Sequence, residues 1–455
     1  MQYPGSLHNH TDFSNFRLRD SINKINTLID KAIELEHEVI AITEHETISS
    51  AIRAEKYYKK IKEKYPNFKV IRGNEIYLCR NGLNAQNFNK EVDKYFHFVL
   101  LAKDAEGHRQ IRELSTRAWM RAFTERRMQR VPTYYSDLFD IIGENPGHVI
   151  GSTACLGGTL GTQLLRYKES KNEELLNKIK YWCLQMQKLF GEENFYLEMQ
   201  PSNDKEQIYV NKKIVELSKE LNIPTIITND AHYLRPENRK IHKAYLNSKE
   251  GDREVDSFYQ STYLMTDEEV HQFMDEIIGE EWVEKSYENI NKIKDLCEDY
   301  SLMKPLKIPR LNWKEPGYLK TEVKDKWFKR IPNLLKFYLS DYPEDKRLAE
   351  IIIDRIEGDD TLNNQLTYNE INACLGDTWV SSEVNGSRWS AYFLNLQNII
   401  DACWDSGTLV GAGRGSGVGF ILLYILGITQ INPLREKTQC FRWRFLNPER
   451  VSVLD

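Results

Sequence analysis

Two histidines stand one residue apart near the start of the chain, in "SLHNHTDFSNF" from Ser6 to Phe16. The apolar–polar alternation predicts a strand, in which side chains two positions apart point the same way. His8 and His10 would then present two imidazoles together, with Asp12 on the same face. That geometry suits a metal ion, although a buried histidine more often serves packing or hydrogen bonding. The pair gains meaning only from what else of its kind the chain carries.

Residues of the same chemistry recur where short apolar runs finish. "AITEH" ends in Glu44 and His45, "IRGNEIYL" carries Glu75, and "YFHFVLLAK" carries His97. "GSTACLGG" offers Cys155, "IITNDAHY" ends with Asp230 and His232, and Asp20 lies in the loop before the first helical segment. Five of the ten histidines fall in this set. In α/β barrels such residues gather at the C-terminal ends of strands, because the loops there share one mouth. Imidazole, carboxylate and a single thiolate together suit Zn²⁺ or Mn²⁺, and carboxylates bridge neighbouring ions. Cys155 alone would read as a small core residue. The two same-face pairs, HxH and DxH, with the further residues at strand ends, predict a multinuclear site. His37, His108, His148, His242 and His271 fit no such pattern and are expected to be structural.

The elements that must position these residues alternate. "SINKINTLIDKAIELEHE" places Ile22, Ile25, Leu28, Ile29, Ala32 and Ile33 on one helical stripe. Buried-strand candidates are "VIAIT", "FKVIRGNEIYL", "FHFVLLAK", "HVIGSTA", "NFYLEMQ" and "IPTIITND", with helical stretches such as "EELLNKIKYWCLQMQKLF" and "IYVNKKIVELSKELN" between several of them. This order predicts parallel strands covered by helices, in an α/β barrel or a doubly wound sheet. At "LMKPLKIPRLNWKEPGYL" prolines and basic residues replace the pattern, and a domain boundary is expected near Lys304. The remainder reads as mostly helical, with "KWFKRIPNLLKFYL" as a basic amphipathic helix.

At 455 residues two or three domains are expected, and 41% hydrophobic residues support sizeable cores. The balance of 62 basic and 67 acidic residues gives a charge of −5, which neither supports nor excludes a nucleic-acid partner. "FTERRMQRVP", Phe123 to Pro132, reads first as a solvated helix end and second as a basic patch. The apolar run Val418 to Ile428 is shorter than the roughly 20 residues a membrane span needs. Seven cysteines without framework spacing, and no signal-peptide layout, predict a cytoplasmic protein.

A second motif lies near the end, in "DACWDSGTLVGAGRGSGVGFILLYILGIT". A helix is expected to stop at Gly407, followed by a short strand "TLVG" and then a glycine-rich turn entering an apolar helix near Val418. Such a turn offers free N–H groups to an anion, Arg414 adds a bidentate phosphate grip, and Ser416 adds a hydroxyl donor.

These segments together resemble a known family. "LHNHTDFS", "LRDS", "ITEHE", "RGNEIYL", "FHFVLLAK", "STACLGG", "NFYLEMQ", "TNDAHYL" and "YLMTDEEV" are similar to successive motifs of the PHP (polymerase and histidinol phosphatase) domain. The version is the one heading bacterial replicative DNA polymerase III α subunits, the C family. The resemblance implies a distorted seven-stranded β/α barrel over residues 1–300. It would hold three divalent metal ions, Zn²⁺ or Mn²⁺, on His8, His10, Asp20, His45, Glu75, His97, Cys155, Asp230 and His232. It also implies 3′–5′ exonuclease chemistry on a DNA primer end. "ILGITQINPL" and "FRWRFLNPERVS" resemble the start of the C-family palm, which places residues 301–455 in the polymerase region. By that resemblance Gly413, Arg414, Gly415 and Ser416 bind the triphosphate of a dNTP. Asp455 takes the position of the first catalytic palm aspartate, with leucine before it where the family usually has proline. Mg²⁺-dependent nucleotidyl transfer needs several carboxylates. A second polypeptide or missing sequence is therefore expected to complete that site, and a sliding clamp is a further partner of the family. The competing expectations are a free-standing PHP phosphatase and a non-catalytic PHP scaffold.

Overall fold

The computed structural model describes the chain apart from residues 17–18, 90–91, 126–127, 249–257, 306, 311–320, 436–440 and 452–455. It divides into two compact units, Met1–Met303 and Lys304–Asp455.

The first unit is built on the six apolar runs expected to be strands. We number the strands β1 (Val39–Ile42), β2 (Lys69–Cys79), β3 (Phe96–Ala102), β4 (Phe123–Glu125), β5 (Met128–Arg130), β6 (Thr133–Tyr134), β7 (Val149–Ser152), β8 (Phe195–Met199) and β9 (Thr225–Ile227). Seven form one curled sheet in the order β1-β2-β3-β7-β8-β9, with β6 paired to the end of β2, while β4 and β5 make a separate hairpin. Every residue of β1, β7, β8 and β9 is buried, as continuous apolar runs covered on both faces require.

Two expectations need correction. The sheet is not uniformly parallel: β3 runs antiparallel to both β2 and β7. Among the described residues of the loop 80–95 between β2 and β3 there is no helix, and without a crossover helix a following neighbour strand must return antiparallel. The opening segment is also not a regular strand. Residues 4–10 instead bridge the two edges of the curled sheet. On one side the amides of Val39, Ala41 and Thr43 donate to the carbonyls of Pro4, Ser6 and Asn9 at 3.0 Å each, and on the other the amide of His10 donates to Ala231 at 3.0 Å. Asp12 then leaves the line in a 3-10 turn (Asp12–Phe16) and pairs with Lys24 at 2.5 Å, away from the histidines.

The outer helices bury the stripes their periodicity specified. Ile25–Glu34 buries Ile25, Leu28, Ile29 and Ala32, while Ile22 precedes the helix. Glu173–Phe190 and Lys205–Leu221 are capped by Asn172 and Asp204, whose side chains accept the first free amides.

The second unit is mainly helical around its own core, which includes Trp327, Phe337, Ile352, Ile353, Leu375, Phe393 and Phe420. "KWFKRIPNLLKFYL" is two helices rather than one: Thr321–Arg330 ends before Pro332, which opens Pro332–Tyr338, and Trp327, Leu334 and Phe337 face the core. Trp389–Asp405 ends with Gly407 at φ 78, the expected terminating glycine. The expected strand "TLVG" is irregular backbone. The expected apolar helix is split into a 3-10 turn, Gly415–Gly419, and a five-residue helix, Ile421–Ile425. Glycines at 417 and 419 weaken a helix, and Phe420 is extended at φ −105, ψ 106.

Candidate metal centre

Seven backbone segments converge on one end of the curled sheet. His45 follows β1, Cys155 follows β7, and Asp230 and His232 follow β9, all past the C-terminal ends of their strands. Glu75 lies within β2, paired to His45 through an isolated bridge. His97 is the second residue of β3, and because that strand is reversed, its N-terminal end reaches the same mouth. The turns that aim these side chains use left-handed backbone at non-glycine residues: Glu46 (φ 54), Ala154 (φ 56) and Asp230 (φ 49). Each such residue costs on the order of 1 kcal/mol, a strain that concentrates at functional sites.

The side chains form three groups whose ligand atoms lie within 4.8 Å of one another: His10, His45 and His232; His8, His10 and Asp230; Glu75, His97 and Cys155. Asp20 joins the first, at 2.5 Å from His45 Nε2 and 3.2 Å from His232 Nε2. Glu75 spans the set, with Oε2 at 2.5 Å from His45 Nδ1 and Oε1 at 2.8 Å from His97 Nδ1. All nine residues of the expected set are therefore brought together. Asp12 is not. Glu44 points into the loop 11–14, where it accepts from the Thr11 amide at 3.0 Å and the Ser14 hydroxyl at 2.5 Å.

The hydrogen-bond pattern tests whether these residues suit cations. His8 Nδ1 lies 2.7 Å from Glu198 Oε1 and donates to that carboxylate, which leaves Nε2 as the nitrogen facing the cluster. The Ser14 hydroxyl donates to Glu44 and so accepts from His10 Nδ1 at 3.0 Å, which leaves His10 Nε2 with a lone pair. These two nitrogens face each other at 3.2 Å, and Asp230 Oδ1 stands 3.1 Å from the second. That oxygen and both oxygens of Glu75 are buried with no well-aligned donor, and Glu75 meets only the imidazole nitrogens of its neighbours. Electron-rich atoms converging in this way require positive charge between them. The residues present fit divalent cations.

Without ions the cluster meets its need for positive charge with protons on two of its histidines. Burial alone would lower His8, yet Asp230, Glu198 and Glu75 hold it well above the usual histidine range. Burial and the neighbouring His45 pull His10 down to about 3. Burial opposes protonation of His45, but Glu75 and Asp20 on its two nitrogens raise it to about 10. Burial, reinforced by Asp230 and Glu75, pushes the Cys155 thiol well above its ordinary value.

A supporting layer was not foreseen. Glu198, in β8, accepts from the hydroxyls of Ser152 at 2.5 Å and Thr228 at 2.7 Å and from the Gln200 amide at 3.1 Å, besides facing His8. The signal was a lone glutamate inside the otherwise apolar run "FYLEM", since a carboxylate buried on such a strand needs partners. Tyr259 donates to Asp20 Oδ1 at 2.6 Å, and His242 Nε2 donates to the Asp20 carbonyl at 2.5 Å. Tyr77 stacks on His97 with centroids 4.4 Å apart and planes 10° apart. His37 and His148 are occupied elsewhere, with the Met265 carbonyl and with Asp104. The cluster opens into a cavity of about 500 Å³.

The glycine-rich turn of the second unit is of another kind. Gly413, Arg414, Gly415 and Ser416 are all exposed, and Gly413 (φ 117) and Gly415 (φ 71) hold backbone that a side chain would strain. The helix after it is too short to focus charge on an anion. Asp455 lies outside the described residues.

Residues 6–202 match the PHP domain family and residues 381–455 the bacterial DNA polymerase III alpha NTPase domain family. The chain is 35% identical over 473 aligned residues to a DNA-directed DNA polymerase of Bacillus phage SPbeta, an alignment covering 98% of this chain and 36% of that protein. It is 28% identical to a DNA polymerase III subunit alpha of Borreliella burgdorferi (99% and 34%) and 29% identical to that of Thermus aquaticus (99% and 37%). The chain thus spans about a third of the length of these relatives.

Proposed function

We propose, from the premise that this chain belongs with the bacterial DNA polymerase III alpha proteins and carries their PHP domain, that its first unit is a metal-dependent 3′–5′ exonuclease acting on DNA ends. The observation that carries this reading is the buried convergence of His8, His10 and Asp230, with His8 Nε2 and His10 Nε2 3.2 Å apart and Asp230 Oδ1 3.1 Å from the latter. His8, His10, Asp20, His45, Glu75, His97, Cys155, Asp230 and His232 would hold the cations. Divalent ions bound there supply an activated water and neutralise charge on a phosphodiester during hydrolysis. The chain's own contribution is orientation. Glu198 keeps the His8 proton on Nδ1, Ser14 keeps that of His10 on Nδ1, and Tyr259 with His232 and His45 fixes Asp20. Tyr77 and His97 line the cavity that a strand end would enter.

In the second unit the 413–416 turn would bind the triphosphate of a dNTP, with Asp455 as the first Mg²⁺-holding carboxylate of a polymerase site completed by further sequence or a second polypeptide. The domain assignment follows: residues 1–300 as the PHP phosphoesterase and 301–455 as the start of the polymerase region.

The test uses purified chain, a 5′-labelled primer–template, Mn²⁺ and no nucleotide. The expected result is stepwise shortening from the 3′ end, lost by at least about a thousandfold in His10→Ala, because His10 belongs to two of the three groups. Metal-loaded chain that leaves the primer intact would refute the exonuclease and favour the scaffold. Faster turnover of small phosphomonoesters than of DNA ends would favour the phosphatase.

A further inference from the structure

The cavity over the ligand cluster has a second wall that the hydrolytic chemistry does not use. Phe88 and Tyr95, from the loop 80–95, Met128 and Arg130 of β5, and Phe258 line the same space as His45, His97 and Asp230. Phe88 and Tyr95 stand with ring centroids 5.9 Å apart, and the Arg130 guanidinium lies 5.8 Å and 5.0 Å from them. Arg130 is itself held by Glu125 at 2.9 Å, so the charge over the rings is fixed in place.

These side chains are not part of any core. None of Phe88, Tyr95, Met128 and Phe258 belongs to the three hydrophobic clusters or packs against them, and all four are only half-buried. The Tyr95 hydroxyl is buried without a hydrogen bond among the described residues, which leaves a donor beside the cavity. Half-buried aromatic rings that line a cavity beside a cationic side chain and next to a phosphate-cleaving centre form a platform for a flat, π-rich group. A small sugar phosphate or inorganic phosphate has no such group. The unpaired terminal base of a DNA strand does.

Resting on the exonuclease reading, we propose that Phe88 and Tyr95 stack the 3′-terminal nucleobase of a single DNA strand, which sets the preference of the centre for nucleotide ends over small phosphate esters. Because every base has a π-face, the platform accepts all four bases and recognises an unpaired end rather than a sequence.

The test is binding by the full chain loaded with Zn²⁺, using a single-stranded DNA whose 3′-terminal base is 2-aminopurine and whose last linkage is protected from cleavage. The terminal base is expected to lose fluorescence on binding, and a strand ending in an abasic residue is expected to bind about tenfold more weakly. The double variant Phe88→Ala, Tyr95→Ala should bind the base-bearing strand about tenfold more weakly and show no further loss on the abasic strand, since the two changes remove the same contact. Equal affinity of unmodified chain for base-bearing and abasic ends would overturn the proposal without relying on any variant's folding, as would absence of binding. Base-dependent binding without shortening of an unprotected strand would refute the exonuclease and leave the platform. Shortening without base dependence would refute only the platform.

Discussion

The cluster beneath the curled sheet and the glycine-rich turn of the second unit both gather chemistry-bearing residues, but they are held in opposite ways. In the first, ligand-type side chains come from seven segments, nearly all buried, and several are fixed by a second contact such as Glu198 on His8 or Tyr259 on Asp20. In the second, four consecutive exposed residues carry the whole motif, shaped by two left-handed glycines. A buried polar cluster whose charges are mutually dependent is costly to assemble and couples to the stability of everything around it. An open turn is cheap and couples to little. The two regions should therefore answer the same perturbations differently.

Removal of metal should separate them most. An ion held at a hundredfold excess over its Kd stabilises the folded state by about 2.7 kcal/mol, and each further ion bound adds to that. Chelation should accelerate hydrogen exchange at β1, β7 and β9, whose ends carry the ligands, and leave the helix Pro343–Glu357 unchanged. Equal acceleration in both places would mean that the cluster does not store binding energy of its own.

That contrast also explains what the sequence disclosed. The residues that converge were legible because metals demand few residue types and the chain sets several of them at the ends of apolar runs, while the family resemblance, not spacing, set Glu44 and Asp12 apart from the nine. The six main strands and the buried stripes of the outer helices were legible from periodicity alone. The direction of β3 was not, because periodicity carries no sign, and the mark of reversal is that the described residues of 80–95 form no helix. Asp12 was misplaced by extending the HxH alternation past His10, where the chain turns into Asp12–Phe16 to bring Ser14 under His10. The split of the apolar run at Phe420 was hidden because hydrophobic content suggested a helix that two glycines interrupt. Contacts across the barrel, such as Tyr259 on Asp20, span 239 residues and have no local signature.

Glu198 gives a sharper test within the first region. Glu198→Gln keeps the size and an acceptor but removes the charge that holds the His8 proton on Nδ1. Carboxylates that orient a ligating histidine typically matter by about 10–100-fold in metal affinity. Competition against a chromophoric chelator should show a loss in that range, with the secondary structure unchanged by circular dichroism. Unaltered affinity would mean that Ser152, Thr228 and Gln200 hold His8 adequately through a neutral partner, and that the site tolerates either proton position.

The smallest expected effect on stability is the most informative about the second region. Arg414 is exposed and no described residue pairs with it, so Arg414→Ala should change the unfolding free energy by no more than about 0.5 kcal/mol. The same change should weaken binding of a dNTP by about tenfold or more in any assembly where the polymerase site is complete, because a bidentate charged grip on phosphate is lost. These two measurements pull apart two reasons for keeping an arginine. Destabilisation by more than 1 kcal/mol would show that Arg414 works within the fold of its own unit. Unchanged stability with unchanged nucleotide affinity would strip the turn of its proposed role. Only stability held and affinity lost would mark the turn as a site kept for its ligand, the opposite arrangement to a cluster whose ligand is part of its fold.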